Sequence, residues 1–160
     1  MSEYTNVLKQ FPLEPRPDIP IFASFLDIYY SKMSGGSIPR WSDFKIHDFA
    51  GWHPNMALSD KIEDGDDYIF RIFGTGFVDL FAQDFTGAPL CQSMAPGHVA
   101  SSKQHFHKLE MGPYIGWAKG VVPLEGREYL PFEVIDLPLQ NELGKVTSFI
   151  HLLGVKSKVI

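Results

Sequence analysis

The first segment that suggests chemistry is RIFGTGFVDLFAQDFTGAPL, residues 71–90, which contains the pair Gly74 and Gly76. A dinucleotide-binding fingerprint requires G-x-G-x-x-G between a strand and a long helix. Asp79 occupies the third glycine position, and its negative charge would oppose a phosphate at the start of a helix. The Lys-Ser/Thr pair of a Walker motif is also missing. We therefore predict a strand that ends at Gly74 and a short helix capped by Thr75.

Arg71 is the charged residue best placed for binding chemistry. Alternation along the strand-like run YIFRIF puts it on the same face as Ile69 and Phe73. A guanidinium on an apolar face needs a carboxylate, because an unpaired buried charge is costly. We expect either a structural ion pair with Asp84 or Glu133, or an interaction with the carboxylate of a small ligand.

The spacing of histidine, cysteine and carboxylate residues predicts no metal site and no catalytic residue. On a helix, His105 and His107 lie about 200° apart and therefore face opposite sides. Cys91 is the single cysteine, so we interpret it as a small buried apolar residue. The acidic run DKIEDGDD, residues 60–67, is typical of a solvated hairpin loop. No signature of a nucleophilic or metal-dependent hydrolase is present.

The composition is typical of a folded domain with no nucleic-acid or membrane partner. The chain has 160 residues, of which 44% are hydrophobic and 21% charged, close to globular averages. The net charge is −5 and the basic residues are scattered, which disfavours binding to phosphate backbones. No segment has the apolar length of a signal peptide or of a membrane span. We therefore predict a cytoplasmic location.

The order of predicted elements favours an α+β fold with an antiparallel sheet. We interpret residues 1–20, which contain four prolines, as an N-terminal arm and residues 21–160 as one domain. Helices are predicted at 21–33 and 98–111, with short helical pieces at 74–90. Strands are predicted at 56–62, 67–73, 114–122, 127–137 and 146–155. The tight-turn pair Asp64-Gly65 predicts a hairpin between the first two strands.

This order of elements, two strands, short helices, a longer helix and three strands, resembles a PAS domain. Sequence words resemble a bacterial stand-alone PAS-like family of unassigned function, known mainly from alphaproteobacteria. The corresponding words are PRWSDF (39–44), FRIFGT (70–75), AQDFTG (82–87) and LPL (137–139), so the resemblance covers residues 20–155. Ala82 and Gln83 depart from the Gly-Arg that the family usually has there.

The resemblance implies a five-stranded antiparallel sheet with helices on one face, an N-terminal helix and a cavity for a small apolar or amphipathic ligand. The candidate cavity residues are Arg71, Phe77, Phe81, Phe85, Phe106, Tyr114, Trp117, Phe132 and Phe149. A wide apolar stripe on the N-terminal helix predicts a homodimer interface, because PAS domains often pair through this helix. The candidate interface residues are Phe22, Phe25, Leu26 and Tyr29.

Three functions follow as alternatives. The first is a ligand-binding sensory module that signals through a dimer or a protein partner. The second is a protein–protein interaction module with a filled core, and the third is an enzyme acting on a small hydrophobic acid near Arg71. The sequence requires no cofactor. Some PAS domains bind haem through a histidine, for which His98, His105, His107 and His151 are candidates, whereas Cys91 lacks the surroundings of a flavin-photoreceptor cysteine.

Overall fold

The computed structural model describes residues 6–128 and 130–154 of the chain. The first five residues of the predicted arm, the last six of the predicted domain and the predicted strand end at residue 155 lie outside the described residues. Six strands form one antiparallel sheet in the spatial order β1-β4-β5-β6-β2-β3. They are β1 (Val7–Pro12), β2 (Met56–Lys61), β3 (Tyr68–Phe73), β4 (Tyr114–Val121), β5 (Pro131–Gln140) and β6 (Val146–Leu153).

Within the described residues, three α-helices and five short 3₁₀ helices connect and cover the strands. The α-helices are α1 (Ala23–Ser31), α2 (Thr75–Phe81) and α3 (Pro96–Met111). The 3₁₀ helices are Pro20–Phe22, Trp41–Asp43, Ile46–Phe49, His53–Asn55 and Leu90–Ser93. The α+β class, the antiparallel sheet and the five expected strands are confirmed.

The sheet has one strand more than the sequence predicts, and it comes from the predicted arm. Strand β1 pairs with the edge of β4, from Val7 opposite Lys119 to Pro12 opposite Tyr114. Because the prolines lie after residue 11, the backbone donors of residues 7–11 remain available for this ladder. The sheet is therefore six-stranded, and part of the arm belongs to it.

Alternate residues of the strands divide the interior into two layers. On one face, which we call the outer face, α1 and the 3₁₀ helices of residues 41–55 cover side chains such as Leu58, Ile135 and Ile150. On the opposite face, which we call the inner face, α2 and α3 pack over a second cluster that includes Phe70 and Phe149. The functional candidates have to be assigned to one of these two layers.

Helix α1 covers its own sheet and does not present its apolar stripe to solvent. Phe22, Phe25, Leu26 and Tyr29 are each at most 1% exposed. The Tyr29 hydroxyl also donates a hydrogen bond of 2.7 Å to the backbone carbonyl of Pro138 in β5. These side chains are core residues that a second copy cannot reach in this structure. The assignment of these four positions to a dimer interface is therefore corrected.

The glycine pair at the start of α2 allows close packing of the backbone. A Cβ atom at Gly74 would lie 2.6 Å from the carbonyl oxygens of Met56 and Pro54, and one at Gly76 would lie 2.8 Å from the Pro54 oxygen. Gly74 is the N-cap of α2, and no side chain caps this helix, which corrects the prediction that Thr75 does so. The Gly-x-Gly pair brings α2 against the 3₁₀ helix at residues 53–55.

Candidate functional site

A cavity of about 540 Å³ lies between the inner face of the sheet and the helices α2 and α3. Its size falls within the range of small-molecule sites in proteins. Gly97 and Ser101 line it and are exposed, so it reaches solvent beside the first turns of α3. Leu8 of strand β1 and Asn6, the residue before this strand, also line the cavity. The cavity is mainly apolar, and its largest lining side chains are Phe70, Phe73, Phe77, Phe81, Phe106 and Phe132.

The polar part of the cavity wall is a buried cluster of His105, Asp136 and His151. Oδ1 of Asp136 lies 2.6 Å from Nδ1 of His151, and Oδ2 lies 3.1 Å from Nε2 of His105. All three side chains line the cavity, yet each residue is at most 4% exposed. Asp136 and His151 stand directly opposite one another in the β5–β6 register, while His105 comes from α3.

Hydrogen bonds extend this cluster at both ends into a chain of five side chains. Nε2 of His151 lies 2.7 Å from Oγ of Ser59 in β2. Nδ1 of His105 lies 2.8 Å from Nε2 of Gln10 in β1. We call this chain, Ser59–His151–Asp136–His105–Gln10, the polar network. It crosses the sheet from β2 to the edge strand β1.

The contacts of the polar network define where its protons lie. Burial alone would raise the pKa of Asp136, but hydrogen bonds from His105 and His151 outweigh it and hold that pKa well below the ordinary value. Asp136 is therefore a carboxylate that accepts from one N–H of each imidazole. The second ring nitrogen lies within hydrogen-bonding distance of the Ser59 hydroxyl at His151 and of the Gln10 amide nitrogen at His105.

Ser59, His151 and Asp136 follow the atom order of a serine-hydrolase triad, but the serine is inaccessible. Ser59 is 0% exposed and does not line the cavity. A nucleophile must reach the carbonyl carbon of its substrate, and a geometry-based assignment of a triad requires that reach. We therefore interpret the Ser59 hydroxyl as a structural donor that fixes the orientation of the His151 ring.

Arg71 lies on the outer face, away from the cavity. Its guanidinium forms two hydrogen bonds of 2.7 Å with the carboxylate of Asp60 and lies 5.8 Å from the ring centre of Trp41. A β-bulge causes this placement, since Leu58 pairs with Ile72 and the next residue of β2 pairs with Phe70, which leaves Arg71 as the extra residue. Phe70 and Phe73 consequently share the inner face.

The predictions about Arg71 are corrected on two points. Its partner is Asp60 rather than Asp84 or Glu133, and it shares a face with Ile69 but not with Phe73. A period-two alternation assumes an uninterrupted strand, and the bulge shifts the alternation by one residue. Arg71 therefore does not line the cavity.

The other predicted cavity residues fall into two groups. Four of them line the cavity, namely Phe77, Phe81, Phe106 and Phe132. Phe85 and Phe149 are buried in the same inner cluster without reaching the cavity wall. Tyr114 is 37% exposed at one end of β4, and Trp117 packs against the outer cluster with its indole N–H donating to Glu133. Neither Tyr114 nor Trp117 lines the cavity.

Sequence reasoning missed the central polar residue of the site, Asp136. A signal was available, because Asp136 lies within the otherwise apolar strand sequence VIDLPL of β5. A carboxylate in such a strand requires hydrogen-bond donors when it is buried. The sequence does not show that His105 and His151 are neighbours, because their proximity depends on the packing of α3 against the sheet.

Of the four histidines and the cysteine discussed for haem or flavin chemistry, three histidines line the cavity, namely His98, His105 and His151. Both ring nitrogens of His105 and of His151 are engaged in the polar network, so neither offers a lone pair to a haem iron. His107 is exposed on the opposite side of α3, and Nε2 of His98 lies 3.4 Å from Glu128. Cys91 does not line the cavity. Among residues 6–128 and 130–154, no group of three or more His, Cys, Asp or Glu residues is arranged to hold a metal ion.

Comparison with solved structures identifies the fold. The structure is similar to that of an RNA-binding light-oxygen-voltage receptor, with a TM-score of 0.53, 12% sequence identity and 95% of this chain covered. The chain spans 39% of the length of that receptor. The fold is therefore PAS-like. No family model matches the chain, and no curated protein matches its sequence. In the part of the chain that the structure describes, no helix is long and apolar enough to cross a membrane.

Proposed function

We propose that this protein is a sensory module that binds a small, mainly apolar molecule in the cavity of its inner face. The observation that carries the proposal is a cavity of about 540 Å³ whose wall combines six phenylalanines with the buried cluster of His105, Asp136 and His151. Such a combination is typical of ligand sites, in which apolar groups supply affinity and a few polar groups supply orientation. A filled core would leave no space of this size.

The signal leaves the cavity through strand β1 in this proposal. Leu8 of β1 lines the cavity, and Gln10 of β1 is hydrogen-bonded to His105. Strand β1 lies at the edge of the sheet and pairs only with β4 among the described strands. A ligand that moves His105 or Leu8 therefore acts directly on an edge strand, where a second copy or another protein can pair with the free backbone groups. A homodimer in the cytoplasm, without nucleic acid or membrane as a partner, remains part of the proposal.

The position of Arg71 does not support the enzyme alternative. That alternative placed a small hydrophobic acid next to Arg71, and Arg71 lies on the outer face in an ion pair with Asp60. The interaction-module alternative, with a filled core, becomes an outcome of the binding test.

The binding test uses the neutral fluorophore 1-aminoanthracene and a pair of matched variants. Ala118 lines the cavity and is 7% exposed, so Ala118→Leu places three additional carbon atoms in the cavity. Ala100 is exposed on α3 and does not line the cavity, so Ala100→Leu makes the same chemical change elsewhere. We expect the fluorophore to bind the unmodified protein and Ala100→Leu equally, and Ala118→Leu at least about tenfold more weakly, which is about 1.4 kcal/mol.

Native and denaturing mass spectra of the purified protein complete the test. A mass excess that is lost on denaturation would identify a retained molecule and support the proposal. Absence of both a mass excess and fluorophore binding would contradict it and favour the interaction module. Amide hydrogen exchange then tests the output route, since ligand binding should change the exchange rates in β1 more than those in α1, which contributes no residue to the cavity wall.

A further inference from the structure

The cavity wall, as far as the structure describes it, contains an acidic side chain but no lysine or arginine. Among the lining residues, all of which the structure describes, Asp136 is the single carboxylate and there is no lysine or arginine. His98, His105 and His151 are the other titratable lining residues, and the last two are hydrogen-bonded to Asp136 through one nitrogen each. The negative charge of Asp136 therefore has no lysine or arginine beside it among the described residues of the cavity wall.

The polar network offers acceptors to a ligand. The N–H groups of His105 and His151 that face Asp136 are committed to its carboxylate, and the Ser59 hydroxyl is committed to His151. Each oxygen of Asp136 accepts one of these bonds and retains further lone-pair capacity, because a carboxylate has about four acceptor sites. A ligand group that meets Asp136 therefore has to donate hydrogen bonds.

The apolar part of the wall also suits a cation. Six phenylalanine side chains line the cavity, and the negative face of an aromatic ring attracts an ammonium group, by about 2 kcal/mol or more when the site is desolvated. A carboxylate ligand would be repelled by Asp136 and by the negative faces of the aromatic rings, and no lysine or arginine among the described residues lines the cavity to pair with it. Burying an unpaired anion is costly.

We propose that the ligand of this cavity is an apolar organic ammonium ion whose charged group donates to Asp136 while its hydrocarbon part packs among the phenylalanines. This inference rests on the proposed ligand-binding function and assigns the chemical class of the ligand. It differs from the small hydrophobic acid of the enzyme alternative, which depended on Arg71, because Arg71 lies on the outer face and pairs with Asp60.

The test compares three probes of nearly the same shape at pH 7.5: 2-phenylethylammonium, 2-phenylethanol and 3-phenylpropanoate. Each competes with 1-aminoanthracene for the cavity. We expect the ammonium ion to bind at least about tenfold more tightly than the alcohol, and the carboxylate to bind more weakly than the alcohol. Equal affinity of the three probes, or tighter binding of the carboxylate, would overturn the inference while the cavity-binding function stands. If the fluorophore does not bind and no small molecule is retained, both the ammonium inference and the proposed ligand-binding function are contradicted.

A variant pair assigns the preference to Asp136. Asp136→Asn removes the charge within the cavity, and Asp27→Asn makes the same change on the exposed side of α1, where Asp27 pairs with Arg16. We expect the preference for ammonium over alcohol to fall at least about fivefold in Asp136→Asn and to persist in Asp27→Asn. An unchanged preference in folded Asp136→Asn would contradict the role of Asp136. If Asp136→Asn does not fold, the ranking of the three probes on the unmodified protein decides the inference.

Discussion

Gly116 in β4 lies so close to His105 in α3 that a Cβ atom at this glycine would be 2.8 Å from Nε2 of the imidazole. The same atom would lie 3.0 Å from Oδ2 of Asp136 and 2.6 Å from Cδ1 of Leu109. Strand β4 therefore leaves room for the hydrogen bond between His105 and Asp136 because this position has no side chain.

Gly116→Ala should separate His105 from Asp136 and destabilise the fold by about 1–3 kcal/mol, the usual cost of overpacking a core. Urea denaturation measures the change in the free energy of unfolding. The matched control is Gly97→Ala in the first turn of α3, where an added Cβ meets nothing within 4 Å. Equal stabilities of the two variants would show that β4 and α3 adapt without strain.

Because of Asp136, the free energy of unfolding should decrease at acidic pH. Burial opposes ionisation, but hydrogen bonds from His105 and His151 hold the pKa of Asp136 well below the roughly 3.9 of an unfolded aspartate. A pKa that is lower in the folded state gives stability that is present above the unfolded pKa and is lost as the pH falls through the folded pKa.

The comparison of the unmodified protein with Asp136→Asn isolates this contribution. At pH 7 we expect Asp136→Asn to lose about 3 kcal/mol, because the two imidazoles lose a charged acceptor. The difference in the free energy of unfolding should narrow as the pH is lowered from about 5 to 2.5. A difference that stays constant over this range would mean that the Asp136 carboxylate is not stabilised by folding.

The hydroxyl groups of two adjacent tyrosines, Tyr29 and Tyr30, should contribute unequally to the stability of the fold. Tyr29 is 0% exposed and donates to the Pro138 carbonyl, whereas Tyr30 is half-buried and donates to the Leu13 carbonyl. Tyr29→Phe leaves a buried carbonyl without its donor, which costs about 1–3 kcal/mol. Tyr30→Phe should cost less, because water can replace the lost donor. Thermal unfolding checks the order, and a larger loss in Tyr30→Phe would contradict the assignment of α1 to the core.

Cys91 should react slowly with alkylating reagents. Burial raises its pKa to about 11, with a further contribution from the negative charge of Asp67. At pH 8 the folded protein would hold roughly 100-fold less thiolate than an ordinary cysteine, since each pKa unit is a factor of ten. Iodoacetamide labelling followed by mass spectrometry compares the folded and urea-unfolded chains. Equal rates in the two states would show that the Cys91 thiol is not protected.

The ion pair of Arg71 and Asp60 should contribute little to stability and nothing to binding in the cavity. The two side chains are 46% and 40% exposed, and exposed pairs of this kind are worth about 0–1 kcal/mol. Arg71→Met should therefore shift the free energy of unfolding by at most about 1 kcal/mol and leave the affinity for 1-aminoanthracene unchanged. A large loss of affinity in this variant would show that Arg71 takes part in binding at the cavity.

Features that depend on neighbours along the chain could be predicted from the sequence. The hairpin of β2 and β3 follows from two strand-like runs around Asp64 and Gly65, and Asp64 adopts the left-handed conformation with φ of 60° that such turns require. Helix α3 follows from helical spacing, with Pro96 in its first turn and Gly112 after its last residue. Four of the phenylalanines that the sequence proposes for a cavity also line the cavity of this structure.

Features that depend on partners far along the chain required the tertiary structure. Strand β1 has weak local signals, and it becomes a strand because the free edge of β4 supplies its hydrogen bonds. The face on which Arg71 lies depends on a bulge that the pairing of β2 with β3 creates.

The sequence by itself determined the α+β class, the order of five of the six strands along the chain and the richness in phenylalanine. Only the tertiary structure decided which residues form the site. The polar network joins positions 10, 59, 105, 136 and 151, and its hydrogen bonds span separations of 15 to 95 residues. Local periodicity carries no information over such separations, because the faces of strands and helices meet only when sheet register and helix packing are established.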